Sequence, residues 1–368
     1  MPNKLYGLDR EDIIDKINLL MINLINIKDE TGKFLLKLED GRVIDTKGWN
    51  GWEWTHGVGL YGLYKYYEQT GNEKALNVIN NWFKDRFDEG TTTKNVNTIA
   101  PFLTLAYLYE DTKNKRYLPY LNEWFEWVMC EMPRTDENGL QHVVYNSENK
   151  QQIWVDTLMM CVLPLAKVGK ILDKPKYIEE AKKQFLLHIK YLADKETGFW
   201  FHGWSFEGRH NFANAFWARG NCWATISITD FIELLSLDEN DPIGKFLLDT
   251  LKSQVKSLAK YQDKSGLWHT ILNDDTSYLE ASATAGFAYG ILKAARKHYI
   301  DKNYVEVGIK AIKGILNNIS EDGELQSVSF GTPVFSTIQE YKDVPLTSMP
   351  YGQALAILCL SEFLNYFI

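Results

Sequence analysis

No run of about 18 apolar residues occurs in the sequence, which excludes a membrane-spanning helix of ordinary length. The first residues, MPNKLYGLDREDIIDK, lack the apolar core of a secretory leader. There is no excess of base: 40 Lys and Arg stand against 48 Asp and Glu, a net charge of -8. Basic residues never gather into a long run, so a nucleic-acid partner is excluded. Cysteine is scarce. Cys130, Cys161, Cys222 and Cys359 lie far apart in apolar surroundings without CxxC spacing, which reads as reduced thiols in a cytoplasmic protein. HExxH, metal-ligand spacing, a GxSxG elbow, a P-loop and a GxG phosphate cradle are all missing. Neither a metal nor a cofactor is expected.

What is present is a globular composition, 45% hydrophobic and 24% charged, with an unusual load of aromatics. The 12 Trp stand out. An indole offers a flat face and one N–H, which suits either a core or a sugar-stacking platform.

A short pattern recurs along the 368 residues: an acidic or polar residue, Gly, then usually an apolar one. It appears at Gly32, Gly90, Gly139, Gly198, Gly266 and Gly323, with the Gly90 copy the weakest. Each copy follows an amphipathic stretch with helical spacing, at about 9–28, 73–87, 115–132, 175–193, 243–262 and 303–319. Each leads, through a longer segment, to a second stretch rich in small and apolar residues. These lie at about 54–68, 98–110, 155–172, 220–236, 281–298 and 350–367 and read as helices buried on nearly all sides. Six hairpins with polar outer and apolar inner helices predict an all-α fold, an (α/α)6 barrel closed within one domain, residues 1–368. Short β-excursions such as HVVY (142–145) and SVSF (327–330) are expected in the long connections. Those connections gather over the starts of the inner helices, so that end is the expected functional face.

The inner-helix starts carry WEWTHG, NVNT, IWVDT, FWARGNCW, YLEASAT and TSMPYG, and FHGWSFEGRHN precedes the fourth. Asp156, like Glu53 and Glu280, is either a helix N-cap or an acid. Arg219 either stacks on tryptophan or clamps a carboxylate with its fork. His202 is either a satisfied buried imidazole or a substrate contact. His56 and His210 carry a weaker signal. Trp204, Trp217 and Trp223 are core or platform, with Trp217 and Trp223 read as platform. Carboxylate, aromatic and arginine at one mouth fit the chemistry of an acidic sugar.

The segments IWVDTLMM, FHGWSFEGRHNFANAFWARGNCW and YLEASATAGFAYGI strongly resemble glycoside hydrolase family 105, the unsaturated rhamnogalacturonyl hydrolases. The resemblance runs over about residues 9 to 367. It implies an (α/α)6 barrel that removes a 4,5-unsaturated uronic acid from the non-reducing end of pectin-derived oligosaccharides by hydrating its vinyl ether. It places the catalytic acid/base at Asp156, whose burial beside Trp154, Met159 and Met160 is expected to raise its pKa. It also implies that Arg219 and Trp223 line the uronate subsite, with His202 as a hydrogen-bonding partner and Trp54 and His56 closing the far side; Trp217 and Asn97 are expected among the substrate-binding residues as well. The related family 88 glucuronyl hydrolases have a second aspartate near the start of an early inner helix. Here Asn95 and Asn97 stand in that region, which argues against a family 88 enzyme. A sugar epimerase working through His56, His202 and His269 would not explain the WVDT and WARGNCW blocks, and a non-catalytic glycan-binding barrel would be expected to lose Asp156, which is present here.

Overall fold

The structure is a computed structural model that describes residues 3–38, 40–90 and 92–368. A short antiparallel pair, β1 (Lys4–Leu5) and β2 (Leu8–Asp9), leads into α1 (Arg10–Asn26). A second pair, β3 (Leu35–Lys37) and β4 (Val43–Asp45), precedes α2 (Trp54–Thr70). Then come α3 (Glu73–Asp88), the single turn α4 (Val96–Ile99), α5 (Pro101–Thr112) and α6 (Leu118–Cys130). Strand β5 (Gln152–Trp154) runs into a π-helical turn, Leu158–Val162, continued by α7 (Leu163–Ile171) and α8 (Pro175–Leu192). Strand β6 (Gly203–Ser205) follows, then α9 (Ala218–Leu235) and α10 (Pro242–Tyr261). The pair β7 (Trp268–His269) and β8 (Leu279–Glu280) precedes α11 (Ala281–Arg296), and α12 (Val305–Asn317), α13 (Ile338–Lys342) and α14 (Pro350–Leu364) complete the order.

The two helix classes behave as their composition dictates. In α8, Tyr177, Ala181, Phe185, Ile189 and Leu192 face inward while the lysines stay in water. In α14 and α11 nearly every residue is buried, because small side chains let neighbouring helices approach closely. At Gly62 an added Cβ would lie 2.6 Å from the Ala354 carbonyl oxygen, so α2 and α14 meet through that glycine. Each inner helix packs on the next, in the order α2, α5, α7, α9, α11, α14, and α14 returns to α2. The ring closes.

The repeat glycines have a physical basis. Gly32, Gly90, Gly198, Gly266 and Gly323 all take positive φ, the left-handed turn that glycine adopts without strain. The third copy differs: Asn138 takes the positive φ instead. Gly139 is there for space, since a Cβ would lie under 3 Å from Leu187, Ile153 and Thr135.

The β-excursions form elsewhere than expected. HVVY reaches only a bridge between Val144 and Ser147, and SVSF only one between Ser329 and Leu346. Neither stretch finds a partner of matching length, whereas β5 pairs with β6 over three residues. No helix of the described residues is long and apolar enough to cross a membrane. Three of the cysteines are buried and Cys130 is exposed.

Candidate active site

Successive inner helices are separated by an outer one, so all six run parallel and begin at the same end. The β5–β6 pair organises that end. Trp154 sits opposite Gly203, which brings Asp156, two residues on, beside His202, one residue back. The Val155 N–H donates to the His202 carbonyl at 3.0 Å and locks the register. Gly203 leaves no room for a side chain: a Cβ would lie 2.9 Å from Val334 and 3.2 Å from Trp154.

Asp156 is not an N-cap. Its Oδ2 takes no hydrogen bond from the helix start and lies 3.2 Å from Nε2 of His202, and neither atom has another partner. The Asp156 side chain keeps 16% of its surface exposed, although Oδ2 itself is buried. Directly after it the chain makes the π-helical turn, a feature often found beside functional residues. Glu53 and Glu280, in contrast, do cap: Oε2 of Glu53 accepts from Trp54 N at 2.9 Å, and Oε2 of Glu280 accepts from Ala283 N at 2.6 Å.

The electrostatics differ from the sequence expectation. Burial is the largest influence and works to raise the pKa of Asp156, but the His202 Nε2–H facing Oδ2, the His202 and His142 imidazoles and the backbone N–H of Asp156 together outweigh it and hold the carboxyl below its ordinary value. The free site therefore carries a carboxylate at neutral pH. Burial keeps His202 below its own ordinary value, so the ring is neutral. His142, which the sequence reading passed over because HVVY looked like a strand, stacks on Trp154 with centroids 4.2 Å apart. Its Nδ1 lies 2.9 Å from the Thr157 hydroxyl, and burial lowers its pKa to about 3. Glu53, buried among α2 and its neighbours, is pushed up to about 7.

Of the other residues singled out in the sequence, Trp54 and Asn97 keep partial exposure at the mouth. Trp54 stacks on Tyr351, centroids 4.5 Å apart, with Trp223 edge-on beneath it at 6.0 Å. The Asn97 amide group donates to Oε1 of Glu53 at 3.4 Å, which ties the second inner helix to the first.

Four expectations are corrected. Trp223 is fully buried, so its face is covered by neighbours and offers no platform. Trp217, 2% exposed, is wedged between the His202 ring at 4.2 Å and the Arg219 guanidinium at 4.8 Å. His56 points away from the mouth. Its Nε2 lies 2.6 Å from the Gly48 carbonyl, its ring stacks on Trp82, and burial lowers its pKa to about 4. Arg219 is fully buried between Trp217 and Tyr351, and its fork is already occupied. Nη1 donates to the Ser329 carbonyl at 2.9 Å and to its hydroxyl, and Nη2 donates to the Phe330 carbonyl at 2.8 Å and to Thr332. Glu280 lies 3.6 Å away and accepts from Ser329 N. Arg219 thus fastens residues 329–332 to the barrel instead of offering a free fork.

A cavity of about 420 Å³ lies at the opposite end, among the last turns of the inner helices. It is lined by paired charges. Lys293 bonds Asp230 and Glu233, Lys167 bonds Glu110, and Arg296 bonds Glu362. These charges satisfy one another and plug that end of the barrel.

The comparisons with known proteins agree with the barrel fold. The sequence profile of Glycosyl Hydrolase Family 88 matches residues 26–367. The unsaturated rhamnogalacturonyl hydrolase YesR of Bacillus subtilis (strain 168) is 33% identical over 317 residues, covering 85% of this chain and 90% of YesR. A crystal structure described as a possible member of the GH105 family, from Salmonella enterica serovar Paratyphi A, superposes with a TM-score of 0.98 at 60% identity, covering 100% of this chain and 97% of that one. The unsaturated glucuronyl hydrolase of Bacillus sp. GL1 shares the fold, with a TM-score of 0.69 at 15% identity over 95% of this chain and 96% of its own. Asparagine in place of a second aspartate therefore does not remove the chain from the wider family. The protein is a glycoside hydrolase and belongs to glycosyl hydrolase family 88, in which its resemblance is to the family 105 members.

Proposed function

We propose that the enzyme removes the 4,5-unsaturated uronic acid from the non-reducing end of rhamnogalacturonan oligosaccharides by hydrating the vinyl ether, with Asp156 as acid and then base. The observation that carries this reading is the isolation of Asp156: it caps no helix, its side chain keeps exposed surface, and among the described residues its Oδ2 faces His202 alone. The similarity to YesR, named for that substrate class, supports the choice of sugar.

Asp156 gives its proton to carbon 4, and positive charge develops at carbon 5 and the ring oxygen. The resulting carboxylate takes a proton from water, whose oxygen bonds carbon 5. The hemiketal opens by breaking the bond between carbon 5 and the ring oxygen, and the hemiacetal left at carbon 1 expels the saccharide. One carboxyl group suffices, because acid and base act in turn. The substrate brings its own carboxylate and displaces water from Asp156. Both effects disfavour a second anion and raise the Asp156 pKa in the complex. In this reading Trp54 flanks the sugar ring and Asn97 offers an amide to a hydroxyl. The remaining saccharide runs toward a cleft of about 640 Å³ beside Asn95, Tyr145 and Arg42.

Turnover in isotopically labelled heavy water tests this. Deuterium is expected at carbon 4 and the heavy oxygen at carbon 5 of the early keto-acid product, and saturated galacturonides should not be cleaved. Label only at carbon 1, with no deuterium at carbon 4, would overturn it.

A further inference from the structure

Tyr341 belongs to α13, in the long connection ahead of α14, and is 1% exposed. Its ring closes the pocket around His202, with centroids 5.7 Å apart, while Trp154 and Trp217 cover other sides of the imidazole. The Tyr341 hydroxyl lies 2.8 Å from Nδ1 of His202 and accepts the Phe335 N–H at 3.2 Å.

The proton inventory then fixes one arrangement. A phenol has a single hydrogen, and burial makes this one hard to remove. The Phe335 N–H occupies one lone pair of the oxygen, and Nδ1 of His202 is the acceptor in reach of its hydrogen. The hydrogen is left to donate to Nδ1, so Nδ1 is an acceptor and the imidazole proton sits on Nε2. That nitrogen is the one 3.2 Å from Oδ2 of Asp156.

We propose that Tyr341 is a positioning residue: its hydroxyl, held by the Phe335 amide, fixes His202 as the neutral Nε2–H tautomer and so directs the proton that the Asp156–His202 pair gains on substrate binding to Asp156. The inference rests on the reading of Asp156 as the acid. When substrate binding adds one proton to this pair, it has two places to go. On Asp156 it makes the acid the reaction needs. On Nδ1 of His202 it makes an imidazolium beside a carboxylate that cannot donate. Tyr341 bars the second state, because an Nδ1–H would meet a hydroxyl that already accepts from Phe335 and would strand its own hydrogen. The other charged and titratable groups act in the same direction or stay neutral. The Arg219 guanidinium, across Trp217, disfavours a cation on His202, and His142, behind Trp154, is itself held neutral.

The test pairs kinetics with nitrogen-15 NMR of histidine-labelled enzyme. In the wild type, His202 should show the neutral Nε2–H tautomer throughout about pH 5 to 8. Tyr341→Phe should lower kcat by about 10–100-fold, the scale seen when an orienting partner behind a reacting group is lost, while KM stays within about twofold. Its His202 should gain imidazolium character when substrate or a uronate inhibitor is bound. Site-specific 3-fluorotyrosine at 341 retains the donor and nearly the volume, and should restore kcat. An Nδ1–H tautomer or an imidazolium in the wild type would overturn the proposal. So would wild-type kcat and tautomer in Tyr341→Phe, or a 3-fluorotyrosine enzyme as slow as the Phe variant. If Tyr341→Phe does not fold, the wild-type tautomer and the fluorinated variant decide. If Asp156→Asn turns over normally while the tautomer is as stated, the reading of Asp156 has failed and not the geometry of the relay.

Discussion

Arg219→Lys separates two roles that the sequence could not distinguish. If the guanidinium clamps substrate, the variant should fold normally and bind poorly. If it fastens residues 329–332, the variant should lose stability. The structure supports the second outcome. Lysine provides one nitrogen where Arg219 uses two, so at least one of the Ser329 and Phe330 carbonyls loses its charged donor, and Glu280 loses its fork-shaped neighbour. Each carbonyl keeps a second donor, the Tyr351 hydroxyl at Ser329 and the Thr332 hydroxyl at Phe330, so the loss is that of hydrogen bonds to the charged fork, about 1.5–3 kcal/mol each. Stacking between Trp217 and Tyr351 adds about 1 kcal/mol. Some contact survives in lysine, so the expected loss is about 4 kcal/mol. At roughly 2.1 cal/mol/K per residue, a 368-residue chain unfolds with an entropy near 0.8 kcal/mol/K, so Tm should fall by about 5 °C. Scanning calorimetry at a fixed scan rate measures this, with KM and kcat determined well below the transition. A Tm within about 1 °C of wild type together with a KM raised about 100-fold would refute the anchoring role and restore the clamp.

Asp156→Asn should fold as the wild type does and lose about 10²–10⁴ in kcat, since an amide cannot donate the proton; steady-state decay of the substrate's near-ultraviolet absorbance reads it. Because the free-site carboxyl sits low and the bound uronate raises it, the pKa extracted from kcat should exceed that from kcat/KM. Lys293→Met should destabilise the fold by about 3–5 kcal/mol by leaving Asp230 buried without its cation, and Asp230→Asn in the same chain should recover part of that in chemical denaturation. Acid should also unfold the protein. His56, His142 and His188 have folded pKa values of about 4, 3 and 4, lowered by burial, so their contribution is complete above the unfolded value near 6.5 and is lost as pH falls toward 4. Each then costs about 3 kcal/mol by pH 4, and a pH titration followed by circular dichroism should show collapse near that point.

Helix spacing and small-residue content fixed the twelve main helices, because burial on one face or on all faces leaves a periodic trace in the chain itself. The same trace located the mouth, since the polar short turns and the long aromatic-bearing connections must lie at opposite ends. The six turns were legible through glycine, except that Asn138 and not Gly139 makes the third. The pairing of Asp156 with His202 was only half legible. Both residues stood out, but their contact depends on the β5–β6 register between segments some fifty residues apart. Side-chain direction and charge state were decided by tertiary structure alone. Trp217, Trp223 and His56 lie in promising segments yet face inward, and nothing local distinguishes a tryptophan in a mouth from one beneath it. The fork of Arg219 is taken up by carbonyls more than a hundred residues away. Tyr341 gave no sequence signal, because its meaning comes from one hydroxyl reaching His202 across 139 positions of chain. Periodicity records what a residue does along its own helix, whereas hydrogen-bond partners and pKa shifts are set by neighbours that only the folded chain assembles.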